Sequence, residues 1–273
     1  MDKRLQDKVA IVTGSTSGIG RASAELFAEH GAKVVVCGRR RELGKEVVDG
    51  ITAKGGTAGF LPVDVRRGDQ LRDLVRFAVD TYGQLDILMN NAFSGRHGSV
   101  VDLIEEDWDA TCAVTVKAVF LACKHAVPEM IKGGGGAILN VGSHLGLVGA
   151  GGCAAYAAFK AATVHLSRQM AIDYAGQGIR VNAMCPARIV TEAKQKMLDS
   201  NPKAVRDQKY VYPMGRPGTM REAAMAALFL VSDESSFVTG AVLPVDGGMT
   251  AQDPGAAAGR LLKGVLTELG VEG

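Results

Sequence analysis

Aromatic side chains are scarce in this chain: they make up 5% of its 273 residues and include a single tryptophan. With 35 glycines and 47% hydrophobic residues, the interior must be built from Ala, Val and Leu packed closely, enough for one sizeable core. Charge of one sign is also missing. The net charge is +2 with acids and bases interspersed, so nothing marks the chain for nucleic acid or an acidic membrane. No apolar run approaches twenty residues and no leader pattern opens the chain, so neither a membrane span nor a signal peptide is expected. The five cysteines, Cys37, Cys112, Cys123, Cys153 and Cys185, show no paired spacing and no companion histidines for zinc. They are expected as small buried hydrophobes in a reducing compartment, which makes a cytoplasmic protein with no metal site the default.

What is present is alternation. Short apolar runs at 9–13, 33–37, 57–62, 87–90, 136–141, 179–184 and 241–245 read as strands. Helical patterns lie between them, notably at 69–81, 105–130, 154–175 and 220–232. This order requires crossover connections, and therefore a single α/β domain. The expected architecture is Rossmann-type and doubly wound, a mostly parallel seven-stranded sheet with helices on both faces. Ligand should sit at the carboxyl ends of the strands. The run Gly133-Gly134-Gly135-Gly136 has no helix directly after it and reads as a surface turn, not a phosphate site.

The first strand runs into Thr13-Gly14-Ser15-Thr16-Ser17-Gly18-Ile19-Gly20, followed by a helical pattern that ends at Gly31. Strand, glycine-rich turn and helix together make a dinucleotide cradle, with free N–H groups and a positive dipole end facing the pyrophosphate. Further on, Tyr156 and Lys160 lie four residues apart in a helical stretch, hence on one face, and Ser143 lies thirteen residues upstream of Tyr156. A phenol has a reference pKa of about 10. A positive charge about 4 Å away, at an effective dielectric of about 20, is worth roughly 4 kcal/mol. That is about three pKa units in favour of phenolate, and desolvation opposes it. The expectation is a tyrosine able to exchange a proton with an alcohol.

These residues, in this order with Asn90-Asn91-Ala92 between them, resemble the short-chain dehydrogenase/reductase family over residues 5–250. In general appearance, 3-oxoacyl-carrier-protein reductases and secondary-alcohol dehydrogenases come nearest. The resemblance implies an NAD(P)-dependent oxidoreductase that moves a hydride between cofactor and a small carbonyl or secondary-alcohol substrate. Tyr156 would be the general acid/base, Ser143 would bond the same substrate oxygen, and Lys160 would lower the Tyr156 pKa and hold the ribose. Gly14, Ser15, Thr16, Ser17, Gly18, Ile19 and Gly20 would cradle the pyrophosphate. Asp64 and Val65 would meet the adenine, with Asn90, Asn91 and Ala92 flanking the cofactor. Pro186, Ile189 and Thr191 would hold the nicotinamide end. A homotetramer or homodimer is implied as well. A non-catalytic nucleotide-binding regulator would lack Ser143, Tyr156 or Lys160, and epimerases or dehydratases of this fold carry a larger substrate domain.

The departures concern cofactor and proton transfer. The second strand ends Cys37-Gly38-Arg39-Arg40-Arg41, without the acid that NAD-preferring relatives place near this point. Arg39 is positioned for a 2′-phosphate, which favours NADP(H) over NAD(H); the other reading is three solvated arginines opening a helix. Thr115 stands where the family commonly has an Asn that braces a helix irregularity, which counts it with the catalytic set and puts efficient proton relay in doubt. Phe93 replaces a usual glycine and either narrows the nicotinamide pocket or packs beneath its loop. Ala187 replaces another glycine. Arg96, His97, His144 and Arg188 are candidate substrate contacts, and an Arg188 facing the cleft would favour an anionic substrate. Residues 188–219 occupy the place of a substrate lid. Residues 251–273 extend past the resemblance, and Leu261, Leu262, Val265, Leu266 and Leu269 have amphipathic helical spacing. That tail docks on its own subunit, crosses to a neighbour or stays disordered.

Overall fold

A computed structural model describes residues 3–201, 208 and 210–268; the lid residues 202–207 and 209, and Leu269 with the rest of the tail, lie outside the described residues. The strands are β1 (Val9–Val12), β2 (Lys33–Gly38), β3 (Thr57–Pro62), β4 (Ile87–Asn90), β5 (Gly136–Val141), β6 (Ile179–Pro186), β7 (Ile189–Val190), β8 (Gly218–Thr219) and β9 (Val242–Val245). Seven of them form one parallel sheet in the order β3-β2-β1-β4-β5-β6-β9. All four residues of β1 are buried, as a central parallel strand covered on both faces must be.

The helices are α1 (Gly18–Glu29), α2 (Arg41–Thr52), α3 (Gly68–Tyr82), α4 (Glu105–Cys112), α5 (Ala118–Lys132), α6 (Ala154–Tyr174), α7 (Glu192–Asp199), α8 (Met220–Val231) and α9 (Pro254–Glu268). Strand alternation sorts the core into two layers. Val9, Ile11 and Val35 face Leu71, Leu74, Ala122 and Met170 of α3, α5 and α6. Ala10, Val12, Val34 and Val36 face Leu26, Phe27, Val47 and Leu228 of α1, α2 and α8. The direction in which successive strands are added reverses between β1 and β4, so the crevice above their carboxyl ends is the natural ligand site.

Three features differ from the sequence expectation. The sixth strand continues through Pro186 because Cys185 and Pro186 pair with Pro244 and Val245 of β9. Strands β7 and β8 form a separate two-residue pair, too short to leave an alternating pattern. The helix expected at 105–130 is α4 and α5 joined by a π-helical turn, Ala113–Lys117. The continuous run Glu105–Lys132 is 28 residues long and contains an 18-residue stretch of mean hydropathy 1.4, enough by length and composition to cross a membrane. Here its apolar face is packed on the sheet through Ala118, Val119, Ala122, Ala126 and Met130. The five cysteines are unpaired, four of them buried.

Candidate active site

A cavity of about 1680 Å³ runs from the glycine loop to Tyr156 and on to the lid and α9. Its volume exceeds the roughly 300–1,000 Å³ of an ordinary small-molecule site, leaving room for a dinucleotide and a second ligand. At the β1 end the backbone makes the cradle. Gly14 has φ +65° and a Cβ there would lie 3.0 Å from the Ala92 Cα. Gly20 lies beneath the loop, where a Cβ would strike the Asn91 amide and the Gly14 carbonyl. Gly18, with φ +61°, faces open space, and α1 begins there with no side-chain cap and no acid in its first turn. The first N–H groups of α1 are thus left for an anion, so the cradle fits a pyrophosphate. The loop is held from behind by Asn91, whose Nδ2 donates to the Thr13 and Gly14 carbonyls at 3.0 and 3.2 Å.

The arginines at the end of β2 divide the work. Arg39 lines the cavity and acts electrostatically on Asp64. Arg40, which the sequence reading did not single out, lines it too and donates to Thr16 Oγ1 at 3.0 Å and Ser17 Oγ at 2.8 Å. Its place just before α2 aims it back across the loop. Asp64 is held by Arg66 through hydrogen bonds of 2.5–3.0 Å, which keeps its carboxyl below the usual range.

Ser143, Tyr156 and Lys160 meet at the other end. Ser143 ends the β5 loop, and its hydroxyl accepts from the Leu145 N–H at 3.1 Å. Gly146 lets that loop sit on α6, since a Cβ would fall 2.9 Å from the Lys160 carbonyl. The Tyr156 hydroxyl is raised above its ordinary pKa by burial, with a hydrogen bond to Ser143 pulling the other way. Lys160 is 2% exposed, donates to the Val141 carbonyl at 2.5 Å and is pushed down to about 8 by burial. The expectation that Lys160 lowers the Tyr156 pKa is therefore not met. Its ammonium lies 5.8 Å from the Tyr156 ring centroid and is turned to a carbonyl, while desolvation sets the direction for both groups. Phe93 resolves in favour of the pocket. Its ring is 64% exposed, lines the cavity, meets Tyr156 edge-on at 6.1 Å and lies 5.7 Å from the Lys160 ammonium.

Five expected contacts do not line the cavity, the buried Asn90 among them. The Ser15 hydroxyl points inward, donating to the Val12 carbonyl at 2.6 Å and accepting from the Cys37 N–H at 3.0 Å. Gly20 is under the loop, and Thr191 caps α7 by accepting from the Lys194 N–H at 3.2 Å. Thr115, 1% exposed, donates to the Ser94 carbonyl at 2.9 Å. Its own carbonyl accepts from Thr163 at 3.0 Å, one end of a buried chain that continues through Ser167 and Asn140 to Asn90. That chain ties the π-turn to α6, β5 and β4. Gly14, Thr16, Ser17, Gly18, Ile19, Val65, Asn91, Ala92, Pro186 and Ile189 do line the cavity. Ala187 needs no positive φ.

The family described as enoyl-(acyl carrier protein) reductase matches residues 14–250. The chain is a member of the short-chain dehydrogenase/reductase family. Among short-chain dehydrogenases and reductases it is 40% identical over 254 residues to 2-(S)-hydroxypropyl-CoM dehydrogenase 3 of Xanthobacter autotrophicus, covering 92% of this chain and all of that one. It is 40% identical over 250 residues to a 3-oxoacyl-acyl-carrier-protein reductase of Thermotoga maritima, covering 90% of this chain and 99% of that one. Its fold superposes on a gluconate 5-dehydrogenase of Burkholderia cenocepacia, solved with NADP and tartrate, with TM-score 0.84 and 32% identity over 92% of this chain and 98% of that one. As in these short-chain dehydrogenases and reductases, the activity is hydride transfer by a nicotinamide-dependent oxidoreductase acting on a small molecule.

Proposed function

We propose that this protein is an NADP(H)-dependent carbonyl reductase or secondary-alcohol dehydrogenase in which Tyr156 moves the proton. The observation that carries the reading is the convergence of Ser143, Tyr156 and Lys160 on the same cavity as the glycine cradle. The N–H groups at the start of α1 would hold the pyrophosphate, Arg39 and Arg40 the adenosine end, and Pro186 with Ile189 the nicotinamide end. When bound, the nicotinamide supplies or accepts the hydride at the substrate carbon.

The residues of the chain handle the oxygen. Burial keeps Tyr156 protonated at neutral pH, so it starts as a donor toward a carbonyl oxygen. Ser143 offers its hydroxyl to the same oxygen: its oxygen is fixed by the Leu145 N–H, and its hydrogen bond to Tyr156 keeps the two hydroxyls together. Lys160, desolvated and titrating near 8, is poised to exchange a proton close to the working pH. Phe93 shields that ammonium from water. Thr115 holds the π-turn and the Ser94 carbonyl, so its place is in positioning the loop beside Tyr156.

Two basic groups and no acid at the end of β2 support NADP(H) over NAD(H): guanidinium suits a 2′-phosphate. The test is a screen of ketones, secondary alcohols and 3-oxoacyl thioesters against both cofactors, followed by nicotinamide absorbance. Turnover with at least one carbonyl class and a lower KM for NADPH than for NADH is expected. Equal KM values would remove the cofactor assignment, and no turnover with any class would remove the reaction.

A further inference from the structure

The substrate end of the cavity holds a buried hydrogen-bond donor with no partner among the described residues. Gln208 is 6% exposed and lines the cavity. Its side-chain oxygen accepts from Gln195 Nε2 at 3.3 Å, while its own Nε2 has no partner among the described residues. Buried donors are nearly always satisfied, so an enclosed donor left unpartnered on a side chain that lines a cavity marks a place for an acceptor once that side chain turns toward it. One helical turn on, the Tyr212 N–H bonds the Gln208 carbonyl at 3.2 Å. The Tyr212 phenol accepts from the Arg188 backbone N–H and feels the charge of the Arg188 side chain. Arg188 and Gln208 are thus both tied to Tyr212, the first at its phenol and the second through the backbone, and all three line the cavity.

Arg188 is exposed to the cavity and forms no ion pair among the described residues. The other described basic residues lining this end are engaged. Arg96 pairs with Asp107 at 3.3 Å, His144 Nδ1 lies 3.4 Å from the Pro186 carbonyl and His97 Nδ1 lies 3.7 Å from Cys153 Sγ. Among the described lining residues the one acid is Asp64, at the adenosine end and bound by Arg66. Asp246, which also acts on Tyr212, lies outside the lining and accepts from Gly248 and Thr250. A cationic fork and a neutral donor, with no acid beside them among the described lining residues, match an anion that brings acceptors only.

We infer that Arg188 and Gln208 form a subsite for a carboxylate on the substrate, so that the reaction is on a carbonyl compound bearing an acid group. The inference rests on the cavity being the site of hydride transfer. Arg188 supplies the charge-assisted bonds and Gln208 Nε2 the third donor, with the carbonyl of the same molecule left toward Tyr156.

Binding tests the subsite apart from turnover. The enzyme saturated with NADP⁺ is titrated by calorimetry with 4-oxopentanoate and with its methyl ester, which differ in the acid alone. The acid should bind about 10- to 100-fold more tightly. Arg188→Ala should bring the acid-to-ester ratio to within about threefold, Gln208→Leu should lower it by about tenfold, and Arg188→Lys should restore part of the loss. Each variant is checked for an unchanged circular-dichroism spectrum and NADP⁺ affinity. Equal binding of acid and ester by the wild type, binding of neither, or a ratio unmoved by Arg188→Ala in a folded variant overturns the inference. Tight binding of the acid without NADPH oxidation in the presence of any carbonyl leaves the subsite standing and removes the hydride-transfer reading instead.

Discussion

Burial of Lys160 shapes both chemistry and stability. An ammonium whose pKa falls to about 8 in the fold, against a reference near 10.4, binds fewer protons folded than unfolded between those values. Its destabilising effect is therefore full below pH 8 and fades as pH rises toward the unfolded value, up to about 3 kcal/mol. Lys160→Met removes that dependence, at the cost of the bond to the Val141 carbonyl. The melting temperature of the variant relative to wild type should be highest near pH 7 and decline steadily toward pH 10. A difference that does not change with pH contradicts the desolvation argument. The arginines give a second prediction at this scale. Arg39→Asp should raise the KM for NADPH at least tenfold, about 1.4 kcal/mol, and move that for NADH less. Arg40→Ala, which also frees Thr16 and Ser17, should weaken both cofactors. Tyr156 and Lys160 were legible in the sequence because fixed spacing on a helix places them, and Ser143, on the loop after β5, through the family resemblance. Arg40 and Gln208 were not, since their roles depend on where a loop side chain turns and on which donor is left unsatisfied.

Among the elements, α9 and the π-turn carry the least certain sequence signal and the most local consequence. Ala257, Ala258 and Leu261 of α9 line the cavity, and Gly264 sits so close to Tyr210 that any Cβ would strike the phenol. Gln252 Nε2 donates to the Val211 carbonyl at 3.1 Å. The tail thus lies on its own lid segment, with Leu261 and Leu262 still 43% and 61% exposed. Truncation after Thr250 should lower the melting temperature by about 2–4 °C, as loss of roughly 1 kcal/mol does in a chain of this size. It should also speed hydrogen exchange over residues 210–216. Unchanged melting together with unchanged exchange would show that the helix contributes nothing. The spacing of its leucines was readable, but its docking site was not, because that depends on one glycine against one tyrosine. The π-turn left no periodic mark at all. Tertiary bonds from Thr115 to Ser94 and Thr163 hold it, so Thr115→Val should cost about 1–2 kcal/mol of stability with kcat falling as well.

At the scale of the whole molecule, the parallel order with a reversal between β1 and β4 brings segments distant in sequence to one crevice. Seven apolar runs separated by helical patterns were enough to foresee that sheet. Their pattern is strong because both faces of each central strand are buried. The outer surface still exposes Phe120, Ile172, Phe229 and Phe237 at 51%, 76%, 38% and 103%. We propose that a homodimer or homotetramer covers some of these side chains. Light scattering should then give two or four times the 28.5 kDa chain mass, and a monomer would contradict it. The central claim is that Tyr156 transfers the proton in a hydride-transfer reaction. Its most direct test is Tyr156→Phe, measured for NADPH oxidation with the best carbonyl substrate and for NADPH binding by fluorescence. The variant should lose about 10²–10⁴-fold in kcat with cofactor affinity kept within a few-fold. A variant that keeps more than about a tenth of the wild-type kcat would contradict it.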